Sequence, residues 1–174
     1  PAAAEGDVAL ADWELASRLS YFFWSSLPDD ELRAAAAASQ LRDKKQLAAQ
    51  TRRMLQDRKS QALATEFAGQ WLQFRGFDQY DGKSESRFPT FTPELRAAMN
   101  REATEFATDM IRNDRSVRDL LRADYTFLNE QLARHYGVED LYGSHFRRYD
   151  WDDDRRHGLL GQASLLTVTS YANR

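Results

Sequence analysis

Trp13-Glu-Leu-Ala-Ser-Arg-Leu-Ser-Tyr-Phe-Phe-Trp24, followed by Ser-Ser-Leu-Pro28-Asp-Asp-Glu-Leu32, is the stretch that decides the fold. Leu15, Leu19 and Phe22 recur at helical spacing, which makes it a helix with a core-facing stripe. Tyr21, Phe22, Phe23 and Trp24 then point in four directions, each ~100° from the last, because a helix turns once per ~3.6 residues. A helix end that is apolar on every side has to be wrapped on several of them. Arg18 falls between Leu15 and Phe22 and puts a charge on the inner stripe.

Outward from this block the chain reads as helix after helix. Pro28 and Asp29 restart it, Pro being tolerated near a first turn and Asp being a good cap. A short Ala-rich helix follows through Leu32 and Ala34 to Ala38. Asp43-Lys-Lys-Gln46 resembles a capping box before Leu47, Thr51, Met54 and Leu55. Ser60 is a cap candidate for a fourth helix with the stripe Leu63, Phe67, Trp71 and Phe74. Gly76 ends it. Residues 76–91 form a long loop whose aromatics, Phe77, Tyr80, Phe88 and Phe91, are natural pins against the fourth helix. Thr92-Pro93-Glu94 opens a long helix to about Asn113, with Leu95, Met99, Phe106 and Met110 as its stripe. A short helix through Leu120 and Leu121 comes next. Another runs from Tyr125 to Tyr136 and is closed by Gly137. No convincing strand and no internal repeat are visible. The expectation is an all-α fold, a compact bundle of about six to seven helices with one long aromatic-rich loop.

Composition sets the bounds on function. A chain of 174 residues with 42% hydrophobic residues can bury a core without disulfides or metals. Charged residues make up 29%, and no apolar run approaches the ~20 residues that span a bilayer, so no membrane insertion is expected. A net charge of −3 argues against a general nucleic-acid binder. The absence of cysteine excludes disulfides, thiolate catalysis, iron–sulfur ligation and a Cys-x-x-Cys-His haem attachment within this segment. The start at Pro1-Ala-Ala-Ala-Glu5 and the end in Leu166-Thr-Val-Thr-Ser-Tyr171 suggest a piece of a longer protein. On that reading residues 162–174 are poorly packed or covered by a neighbour, and the apolar tail offers a route to a homo-oligomer.

The blocks Arg18-Leu-Ser-Tyr-Phe-Phe-Trp24, Leu27-Pro-Asp-Asp-Glu-Leu32, Phe67-Ala-Gly-Gln-Trp-Leu72, Thr126-Phe-Leu-Asn129 and Leu132-Ala-Arg-His-Tyr-Gly137 fall in a familiar order. Arg53-Met-Leu55 and Arg156-His-Gly-Leu-Leu-Gly161 extend the match. Together they resemble a cytochrome-associated domain of unknown function from planctomycete-type exported proteins. The resemblance covers residues 10–137 after an extension at 1–9, and residues 138–174 resemble the truncated start of a following domain. It implies a large, exported, multi-domain protein, periplasmic or extracellular, of a kind that often carries c-type haem on another domain. No cofactor is implied within this segment, and the implied partners are other domains of the same polypeptide.

No catalytic motif is complete. His135, His145 and His157 lack the spacing that sets two imidazoles on one helix face, so a structural role outweighs metal binding. Asp150, Asp152, Asp153 and Asp154 are a weak cation candidate, since three are consecutive and no Gly follows at the turn position. Asp152 or Asp153 capping a helix near Arg155 explains them more simply. Arg147, Arg148, Arg155 and Arg156, interleaved with aromatics, can stack on nucleic acid, but the adjacent acids favour a salt-bridged surface. Glu102 and Glu105 share one helix and so lack the facing geometry of a carboxylate pair that cleaves glycosides. Glu102 lies on the apolar stripe, and a buried ion pair with Arg18 would account for both misplaced charges. The leading reading is a non-catalytic helical interaction module. The alternative is part of an extracytoplasmic hydrolase or oxidoreductase, with Glu102, His135 and Arg18 as the residues to test.

Overall fold

The computed structural model describes residues 9–83, 86–152 and 156–170. It is 58% helical, with one two-stranded sheet, so the mostly helical architecture is as expected. The chain divides into two compact units, Pro1–Ala62 and Leu63–Arg174, each with its own apolar core.

In the first unit α1 (Asp12–Trp24) packs with α2 (Asp30–Ala37) and α3 (Lys44–Gln56). The buried face of α1 is Asp12, Ala16, Ser20 and Trp24, four residues at strict i, i+4 spacing, flanked by half-buried Leu15, Leu19 and Phe23. Small Ala16 and Ser20 let a neighbour approach closely. Phe22 therefore lies outside the inner stripe, and Arg18 faces solvent beside Glu14. Trp24 Nε1 donates to the Met54 carbonyl at 2.9 Å and so ties the end of α1 to the last turn of α3. Asp29 caps α2 through Leu32 N and also holds Arg53 by two hydrogen bonds of 2.6 and 3.0 Å.

The second unit is organised by α6 (Pro93–Arg112). Thr92 accepts from Leu95 N, Pro93 occupies the first turn, and Leu95, Met99, Glu102, Phe106 and Met110 form the buried stripe. Upstream, α4 (Gln61–Leu63) and α5 (Gly69–Trp71) are joined by a π-helical turn, Ala64–Ala68. Downstream come α7 (Asp119–Arg122), β1 (Tyr125–Leu128), α8 (Glu130–Tyr136), β2 (Arg147–Asp150) and α9 (Ala163–Val168). The strands are antiparallel, with Tyr125 opposite Asp150 and Leu128 opposite Arg147.

One expectation is corrected here. Residues 125–128 are a strand, and the helix begins only at Glu130, because Asn129 caps it by accepting from Leu132 N. Residues after 138 contribute Leu141, Leu159, Ala163 and Leu165 to the same core as Phe106. Of the end expected to be loosely packed, Leu165 is buried, whereas Leu166 is exposed and Val168 half-buried. Gly158 shows how close this return is. Its φ is +54°, its N–H donates to the Ala123 carbonyl, and a Cβ there would meet the Leu120 oxygen at 2.3 Å.

Three of the four aromatics expected to pin the 76–91 loop do so, namely Phe77, Tyr80 and Phe91. Phe77 is buried, stacks on Tyr80 at 5.5 Å and meets Phe91 edge-on at 6.2 Å. Phe88, expected to be buried near Trp71 or Phe74, faces solvent, as does Trp71 itself.

Candidate functional site

Glu102 is the most deeply buried carboxylate of the described residues, 1% exposed. Its place on the α6 stripe turns it toward β1 and α8, and each supplies a hydroxyl. Thr126 Oγ1 donates to Oε1 at 2.6 Å, and the Tyr136 hydroxyl donates to Oε2 at 2.6 Å. Tyr136 in turn accepts from Ala163 N at 2.7 Å, which ties α9 to the centre. The ion pair with Arg18 is therefore not the solution this protein uses. Arg18 is a surface residue bonded to Glu14 at 2.8 Å, and Glu102 is satisfied by neutral donors. The physical reason is the turn of α1: the face that packs is the one with Ala16 and Ser20, and Arg18 lies off it.

Burial pushes the Glu102 carboxyl up to about 7, against the two hydroxyl donors and the Arg156 charge, which favour the ionised form. Burial and the neighbouring carboxylate also raise Tyr136 well above the usual phenol range. His135 is held below the usual imidazole range by partial burial and by Arg156.

Tyr136 connects this centre to a cleft of about 400 Å³ formed by Lys83, residues 88–91, α6, α8 and α9. Lys83, His135 and Arg156 line it together with Phe88, Phe91, Leu95 and Leu166. The Arg156 guanidinium lies over the Tyr136 ring at 4.3 Å and donates to the Gly161 carbonyl at 3.0 Å. Lys83 Nζ donates to Ser170 Oγ at 2.9 Å. His135 also lines an adjoining groove of about 880 Å³ with Asn129, Glu130 and Arg134. Of the residues singled out in the sequence, Glu102 and His135 are thus brought to one region through Tyr136. Arg156 takes the place beside them that Arg18 was expected to fill.

The other candidates are scattered. Among the described residues no group of three His, Asp or Glu converges as a metal site. Asp150 is bonded to Arg148, Asp152 is exposed, and Asp153 and Asp154 lie outside the described residues. The capping role suggested for Asp152 or Asp153 is not met on the described side. Arg156 and His157 are irregular, and the next helical turn, Leu159–Gly161, has no side-chain cap. Arg147 is bonded to His145 and to the Tyr142 carbonyl, and Arg148 lies over the Tyr125 ring at 3.9 Å. Of the four cations of this patch, Arg147 and Arg148 are therefore engaged within the fold, Arg156 lines the cleft, and Arg155 lies outside the described residues.

Residues 10–138 match the family model described as PSD4, a protein of unknown function (DUF1592). The chain belongs to this family. No curated protein and no solved structure matches it. The PSD4 segment contains α1, and here the structure leaves exposed what the sequence required to be wrapped. Trp13, Tyr21 and Phe22 are each more than half exposed, although Trp24 is buried and Phe23 half-buried. Phe67 and Trp71, stacked at 6.2 Å across the π-helical turn, are a second exposed aromatic pair. Sequence reasoning missed Tyr136 and Thr126 and put Arg156 in a surface patch. Thr126 lies on the strand at 125–128, which the sequence presented as helix.

Proposed function

We propose that this PSD4 segment is a non-catalytic interaction module of a longer, exported, multi-domain protein, and that α1 is its docking element. The observation that carries the reading is the exposure of Trp13, Tyr21 and Phe22 on a helix whose composition calls for cover on several sides. Rigid aromatic side chains of this kind dominate the energetics of protein interfaces. The partner is another domain of the same polypeptide. The resemblance to cytochrome-associated planctomycete-type proteins supports a periplasmic or extracellular setting for it, with any c-type haem on a different domain.

Acrylamide quenching of Trp13, isolated by difference against Trp13→Phe, tests the proposal in the isolated segment and in the full-length protein. Protection of Trp13 in the full-length protein, lost on Tyr21→Ser with Phe22→Ser, is the expected outcome. Equal quenching in both proteins rejects α1 as a docking element.

A second reading, part of a hydrolase or oxidoreductase, is favoured by Glu102 with its pKa raised to about 7 behind a tyrosine that lines a cleft. In it Glu102 exchanges a proton with a bound substrate through the Tyr136 hydroxyl. Glu102→Gln in the full-length protein then abolishes activity and leaves the fold intact.

A further inference from the structure

The cleft lined by Lys83, Phe88 and Arg156 has a chemistry that the docking face of α1 does not use. Its charged lining is of one sign. Lys83 and Arg156 carry the charge, and among the described residues no carboxylate lines the cleft or forms a salt bridge with either. Each cation is held in place from behind. Arg156 is stacked on Tyr136 and gives one hydrogen bond to Gly161, and Lys83 is set by Ser170 and sits 5.7 Å from the Phe88 ring centre. A guanidinium has five N–H donors and an ammonium three, so both retain donors for a ligand. The remaining wall is apolar. Phe88 is 43% exposed and Leu166 48%, and both border the same cleft, although neither is explained by the core. The volume of about 400 Å³ is within the ~300–1,000 Å³ typical of small-molecule sites.

We propose that this cleft binds a small amphipathic monocarboxylate, its carboxylate held between Arg156 and Lys83 and its apolar body laid against Phe88 and Leu166. Charge complementarity selects an anion. The apolar wall selects a body of several carbons over a bare ion, and the planar fork of Arg156 matches a carboxylate oxygen pair. His135, on the same lining, supplies a ring nitrogen near the head group. The site is independent of α1, so failure of the docking reading leaves it untouched.

The test titrates octanoate into the segment while backbone amide resonances are followed by NMR, with octan-1-ol, acetate and inorganic phosphate as comparison probes. Octanoate is expected to saturate shifts at Phe88, His135 and Leu166, with affinity at least tenfold above that of each comparison probe. Lys83→Gln and Arg156→Gln are each expected to weaken it about tenfold, the scale of one lost charge-assisted hydrogen bond. Lys83→Gln is the safer variant, since the hydrogen bonds of Lys83 among the described residues go to exposed Ser170, and an unchanged amide spectrum away from the cleft verifies its fold. Equal binding of octan-1-ol overturns the role of the cations. Equal binding of acetate or phosphate overturns the apolar half. Absence of saturable octanoate shifts overturns the site.

Discussion

Asp29 in the first unit and Glu102 in the second are both carboxylates drawn inward by their helices, and they are handled in opposite ways. Asp29 meets a guanidinium fork from Arg53, and its carboxyl is held below the usual carboxylate range by that hydrogen-bonded pair. Asp12, also in the first unit, accepts from Leu41 N at 2.8 Å and lies 3.3 Å from Arg42. Glu102 meets only hydroxyls at hydrogen-bond distance and is pushed up to about 7. The bidentate pair expected at Glu102 exists in this chain, but at Asp29, where both side chains are about a quarter exposed. In the Asp29–Arg53 and Asp12–Arg42 pairs at least one partner remains in contact with water. The fully buried acid is stabilised by neutral donors and by its own protonation.

The largest way to break this contrast is Glu102→Ala. It strands the Thr126 and Tyr136 hydroxyls and leaves a void in the second core, and near pH 5 it should cost about 4 kcal/mol. Urea unfolding with amide exchange read at β1 and α8 measures it. A loss below ~1 kcal/mol would mean that Glu102 is not the hub of the second unit.

Next in size is the pH dependence. The unfolded Glu102 ionises near 4.5, whereas the folded one keeps its proton until about 7. Between those values the folded state binds the extra proton, so the second unit should lose about 3 kcal/mol as pH rises and level off above. Glu102→Gln should flatten that slope. The cost of Glu102→Ala should shrink correspondingly by pH 8. A slope that survives Glu102→Gln would assign it to another group.

The smallest effect belongs to the first unit. Because Asp29 is partly exposed, Asp29→Ala should cost about 1–2 kcal/mol, from a lost cap and a screened ion pair. Its folded pKa lies below the ordinary aspartate value of 3.8, so its contribution is present above that pH and fades as pH falls through the folded value. The two units should therefore respond to acid with opposite sign, read by amide exchange at α2 and at α8.

The helices were legible where capping and periodicity agree. Thr92-Pro93 with Leu95, Met99 and Phe106 specified α6 at both levels, and Asp43 specified the start of α3. Reading failed where two elements share one apolar pattern. Tyr125-Thr-Phe-Leu128 runs into the α8 stripe without a glycine or proline between them, and only the Asn129 cap separates strand from helix. The site was half legible. A charge on an apolar stripe singled out Glu102, but which partner meets it depends on how the elements pack. The stripe assigned to α1 flanked the true one, since small Ala16 and Ser20 sit at its buried centre with Leu15 and Leu19 half-buried beside them.

The ladder between β1 and β2 joins residues on either side of position 138, where the family match ends. The unit of sequence similarity is therefore not the unit of folding. A segment cut at 138 keeps Tyr125–Leu128 but loses Arg147–Asp150, together with Leu141, Leu159 and Leu165 from the core. Its four-residue strand is left with unpaired backbone donors and acceptors along the side that β2 occupies, a template for another chain to complete. Self-association of such a fragment would be a product of where it was cut.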